Sequence, residues 1–119
     1  LAEQGKQAFK NKKFDEAAEL VSQAAEGYTL GRDSFMSAEM QNNVSVALLQ
    51  AGKPQESFAA ALDTDQVFAG AKDIKRQGMA LGNYAAALDA LADAAGTIGY
   101  EILTSLGPRY LRRYQEHAL

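Results

Sequence analysis

The stretch that decides the fold is Gln41–Glu56, QNNVSVALLQAGKPQE. Val44, Ala47 and Leu48 sit at helical spacing and make an apolar stripe. The stripe stops at Ala51-Gly52-Lys53, where Gly52 suits the left-handed position just past a helix end. Pro54 suits the first turn of a following helix, because its missing N–H would have no partner there. The stretch therefore reads as helix, tight turn, helix, and the sequence on either side looks like copies of it.

Working outward, Ala2 to about Asn11 is expected as a first helix, with Gly5, Ala8 and Phe9 on or near one face. Asn11-Lys12-Lys13 breaks it. Phe14 to about Tyr28 follows, with Ala17, Leu20, Val21, Ala24 and Tyr28 three or four apart, the spacing of an amphipathic helix. Asp15 and Glu16 fall in its first turn, where negative charge complements the helix dipole. After the loop at Leu30–Asp33, either Asp33 or Ser34 caps a helix from about Phe35 to Gln50. Pro54 to about Gly70 is expected as its partner. Asp73 caps a fifth helix, Ile74 to about Ala92, and Ala95–Leu106 reads as a sixth. Gly107-Pro108 ends that one, leaving Arg109–His117 for a short closing helix. The predicted core is Ala8, Ala17, Leu20, Val21, Ala24, Val44, Ala47, Leu48, Phe58, Ala61, Leu62, Phe68, Tyr84, Leu88 and Leu91.

Composition agrees with an all-α chain: alanine is abundant, there are two prolines, and 47% of the 119 residues are hydrophobic against 23% charged. The absence of cysteine excludes disulfides, zinc–thiolate sites and cysteine nucleophiles. A net charge of −3 argues against a dedicated nucleic-acid binder. No apolar run approaches the ~20 residues that cross a bilayer, and no basic–apolar–small leader opens the chain. A cytoplasmic protein is expected. Because residue 1 is Leu rather than Met, the chain also reads as a piece of something longer.

Sliding the sequence against itself by 40 positions aligns Gly5, Ser45 and Ala85, and Ala17, Ser57 and Thr97. It also pairs Ala8 with Leu48 and Leu88, Tyr28 with Phe68, Asn43 with Asn83, and Arg32-Asp33 with Lys72-Asp73. Small residues at fixed offsets let antiparallel helices approach closely. A rival register places a turn at Gly82-Asn83-Tyr84; the 40-residue step is preferred because it also accounts for Phe68 and Lys72-Asp73.

This pattern resembles the tetratricopeptide repeat. Gly5-x2-Ala8, Phe14-Asp15-Glu16-Ala17 and Ala24 match the first repeat; Asn43-Val44-Ser45-x2-Leu48, Gly52, Glu56 and Ser57 the second; Asn83-Tyr84-Ala85-x2-Leu88 the start of a third. The step exceeds the family's usual ~34 residues and is similar to extended-helix forms of the kind found in kinesin light chains. No tryptophan opens a unit, and Glu101 stands where an aromatic is expected. The resemblance implies one domain, a right-handed superhelix (α-solenoid) of antiparallel helix pairs, with repeats at about 1–33, 34–73 and 74–106 and a capping segment over 107–119.

Residues able to carry chemistry are few. His117, the only histidine, lies next to the end of the chain and reads as solvated. Asp15-Glu16-Glu19, Asp63-Asp65 and Asp89-Asp93 read as solvated faces, since paired acid–base carboxylates need a cleft that separates their pKa values. Gly96-Thr97-Ile98-Gly99 lacks the strand and spacing of a dinucleotide turn, and no phosphate-binding G-x4-G-K-[ST] occurs. Three basic groups, Lys6/Lys10/Lys12/Lys13, Lys72/Lys75/Arg76 and Arg109/Arg112/Arg113, serve solubility and helix ends. No catalytic residue, metal or cofactor is expected, nor a nucleic-acid or membrane partner.

In tetratricopeptide proteins the first helix of each pair lines an inner groove. Carried over by position, the lining here is Lys6, Phe9 and Lys10; Asn42, Asn43, Val46, Leu49 and Gln50; and Met79, Asn83, Ala86, Asp89 and Ala90. Asn43 and Asn83 either hold a partner's backbone by donating and accepting at once, or bond their own helix or water. The resemblance implies a non-enzymatic interaction module that takes a protein or peptide partner. The alternative is a self-assembling fragment pairing through Ile98, Ile102, Leu103 and Leu106 as a homo-oligomer, with a small enzyme as the third possibility.

Overall fold

The turn at Ala51-Gly52-Lys53 occurs four times among the residues the structure describes. In the computed structural model, which describes residues 1–95 with side chains through 91, Gly52 has φ +78° and Lys12, Arg32 and Lys72 each have φ +60°. These positions are 20 residues apart. Each turn closes with the same two bonds: Lys53 N–H donates to Leu48 C=O and Gly52 N–H to Leu49 C=O, and likewise Lys13 to Ala8, Asp33 to Tyr28 and Asp73 to Phe68. This is the Schellman arrangement, which satisfies carbonyls that a helix end leaves open. A non-glycine residue in the left-handed region costs ~1–2 kcal/mol, so three of the four turns hold a strained cation that the hydrogen bonds and flanking helices offset.

Between and beside the turns run α1 (Ala2–Lys10), α2 (Phe14–Leu30), α3 (Ser34–Gln50), α4 (Pro54–Ala61), α5 (Thr64–Gly70) and α6 (Ile74–Ala95). The starts carry the expected devices. Asp33 Oδ1 accepts from Met36 N–H and Asp73 Oδ1 from Arg76 N–H, each at 3.0 Å. Pro54 opens α4, and Asp15 and Glu16 lie in the first turn of α2. No strand occurs among the described residues, and no described helix is long and apolar enough to cross a membrane. α6 runs unbroken through Gly82, so no turn forms in the rival register.

One expected helix is two. Pro54–Gly70 is interrupted at Leu62, with ψ 126°, and Asp63, with φ +66°. Neither glycine nor proline marks the break. Aspartate tolerates the left-handed region better than most residues, and the Thr64 hydroxyl bonds Ala61 C=O at 2.8 Å across it. The break redirects α5 so that Phe68, 2% exposed, buries beside Ala38 and Ala80 and meets Phe35 edge-on at 5.3 Å. The gain from burying a phenyl ring, ~2–3 kcal/mol, exceeds the cost of one strained residue.

α1 packs on α2, and α3 on α4, with small residues at the crossings. Gly5 of α1 lies against Val21 and Ala17 of α2. Ser45 of α3 and Ser57 of α4 are buried and reciprocally bonded: each hydroxyl donates to the other's carbonyl, at 2.9 and 2.7 Å. The core grows from these crossings. Ala8, Ala17, Ala18 and Ala47 form one cluster, Val21, Ala25, Met40 and Val44 a second, and Phe58, Ala61, Tyr84, Ala87, Leu88 and Leu91 a third between α4 and α6. Of the expected core, Leu20, Ala24, Leu48 and Leu62 are only half-buried, packed at cluster margins. The expected sixth and closing helices, Thr97, His117 and the apolar set Ile98, Ile102, Leu103 and Leu106 lie outside the described residues.

Candidate functional site

The groove-lining residues expected from position fall into two neighbouring hollows that share Asn43 and Val46. The first, about 450 Å³, lies between α1 and α3 and is bounded by Lys6, Phe9, Lys10, Asn43 and Val46, with Val21 and Met40 at its floor. The second, about 340 Å³, lies between α3 and α6 and is bounded by Glu39, Asn42, Asn43, Val46, Phe68, Lys75, Arg76, Met79 and Asn83. Leu49, Gln50, Ala86, Asp89 and Ala90 line neither. Phe9, against Phe14 at 5.2 Å, and Met79 are the large apolar side chains exposed along this side.

The asparagines divide differently from the expectation. Asn42 is buried; its amide donates to Ala38 C=O at 3.0 Å, and its carbonyl accepts from Asn83 Nδ2 at 2.9 Å. Asn83 thus bonds within the protein and ties α6 to α3. A buried amide left unpaired costs ~1–3 kcal/mol, which selects this pairing. Asn43, one position along the helix, faces out and is exposed. The 40-residue shift aligns Asn43 with Asn83, but it is Asn42 that meets Asn83.

Beside this amide pair, Arg76 is committed to the protein. Its Nη2 lies 3.0 Å from Glu39 Oε1, its Nη1 2.9 Å from Asp73 Oδ2, and its guanidinium carbon 5.3 Å from the centre of the Phe35 ring. The Asp73 carboxyl is held below the usual carboxylate range, first by the Arg76 backbone N–H and then by its guanidinium. Arg76 itself is pushed up by its bonds to Asp73 and Glu39. At the opposite side, Lys53 sits 2.8 Å from Asp15, and that bond followed by the carboxylate's charge raises the ammonium's pKa. All three shifts keep a charged group charged and move away from neutrality, the reverse of what proton transfer near pH 7 requires. No group of three His, Asp or Glu side chains that could hold a metal occurs among the described residues. Position-by-position reasoning missed Glu39; its signal was the i,i+4 spacing from Phe35, which puts ring and carboxylate on one face of α3.

Comparison with known proteins points elsewhere than the groove. The chain carries a stretch 82% identical over 27 residues to the alanine racemase of Dinoroseobacter shibae, which is 23% of this chain and 8% of that enzyme. It is 84% identical over 25 residues to the alanine racemase of a Jannaschia species, and 58% identical over 36 residues to that of a Ruegeria species. The chain spans a tenth or less of the length of these curated relatives. No family model matches the chain, and no solved structure does. These matches overturn the expectation of a non-enzymatic interaction module. Repeat periodicity and motif search could not have shown this, because the likeness lies in the identity of residues and not in a spacing.

Proposed function

We propose that this chain is derived from an alanine racemase and serves that enzyme's chemistry through the segment it shares with it. The observation that carries the reading is the identity of 82% over 27 residues. Helix-forming and core positions accept many residues of the right size and polarity, so agreement at four positions in five needs more than a common helical composition. A stretch kept so close to the enzyme's own keeps its side-chain chemistry. Racemisation takes a proton from one face of the α-carbon and returns one to the other, so acid–base groups must stand on both faces. On this reading those groups belong to the longer enzyme, roughly three times this chain's length by the two coverages (23% against 8%), and this chain supplies the shared segment.

The helical body of residues 1–95 is proposed to be a tetratricopeptide-like right-handed stack of extended repeats. Support comes from the turns at 12, 32, 52 and 72 and from the matched crossings at Gly5/Ala17 and Ser45/Ser57.

The test is a transplant. The 27 matching residues of the Dinoroseobacter shibae enzyme are replaced by those of this chain, and interconversion of L- and D-alanine is followed by polarimetry. The chimera is expected to stay within about tenfold of the parent rate, ~1.4 kcal/mol of transition-state stabilisation. A scrambled segment of the same composition is expected to abolish turnover. A folded chimera slowed by three orders of magnitude would overturn the reading.

A further inference from the structure

We draw no further inference here: the strongest candidate, the exposed side of α1, α3 and α6 where Phe9, Val46 and Met79 border two hollows beside Lys6, Lys10 and Asn43, has nothing in the structure to show what covers it.

Discussion

Gly5 against Val21 and Ala17 in the first helix pair, and Ser45 against Ser57 in the second, stand at positions 40 residues apart and make the same close crossing. In the first pair the α1 residue gives up its side chain, and Val21 Cγ2 takes the space a Cβ would need. Forty residues on from Val21 stands the smaller Ala61, and forty on from Gly5 the larger Ser45, so in the second pair the first helix carries a side chain where glycine stood. There the hydroxyls of Ser45 and Ser57 fill the crossing, 3.0 Å apart, and satisfy each other's backbone. What is kept is a close crossing that side chains fill, by Val21 in the first pair and by two hydroxyls in the second. Which helix supplies the filling group, and whether as methyl or hydroxyl, is free.

The largest effect should come from breaking the serine crossing. Ser57→Leu puts a four-carbon side chain where a fully buried hydroxymethyl stood and removes the Ser57 hydroxyl's bonds to Ser45 C=O and Ser45 Oγ. Overpacking and the lost hydroxyl bonds together predict a loss of ~3 kcal/mol, a fall in Tm of ~10 °C by thermal circular dichroism. An unchanged Tm would show that the crossing can open.

The glycine crossing offers a sharper trial, because the sign of the effect should invert. Gly5→Ala gains helix propensity of ~1 kcal/mol but drives a methyl into Val21, whose β-branched side chain is stiff in a helix, and is expected to lose ~1 kcal/mol net. In a Val21→Ala background the same change has room and should stabilise by ~0.5–1 kcal/mol. Gly27, which has no neighbour within 4 Å of a built Cβ, is the control: Gly27→Ala should stabilise in either background. Equal effects of Gly5→Ala in both backgrounds, read by urea denaturation, would show that Val21 is not what fills the Gly5 crossing.

The turns extend the comparison to backbone. Lys12→Gly, Arg32→Gly and Lys72→Gly relieve left-handed strain and should each stabilise by ~0.5–1 kcal/mol, whereas Gly52→Ala should cost ~1 kcal/mol. If all four changes destabilise in denaturant melts, the shared geometry is not what the side chains answer to.

The smallest effect concerns acid. Asp73 has a depressed pKa, so its contribution is present above the unfolded carboxylate's value near ~3.9 and is lost as pH falls through its lower folded value. Stability should drop on acidification, and Asp73→Asn should flatten that part of the profile. An NMR titration placing the Asp73 midpoint at or above that of a free aspartate would contradict the Arg76 contacts.

Local sequence determined three of the helix starts and the four stops made by the turns at 12, 32, 52 and 72. Asp33, Pro54 and Asp73 act within one turn of chain, and the turn geometry at 12, 32, 52 and 72 is made by backbone bonds spanning five residues. The 40-residue step was legible for the same reason, although the finer 20-residue spacing of the turns was hidden because only one of the four carries glycine. Tertiary structure alone decided the break at Leu62-Asp63, since the reward is Phe68 burying against residues of α3 and α6 that lie far off in sequence. It likewise decided that Asn42 and not Asn43 turns inward to meet Asn83, and that Arg76 is spent on Glu39. A side chain's face on its own helix follows from period; which distant group stands opposite it follows only from how the helices cross, and there a shift of one residue exchanges a buried amide for an exposed one.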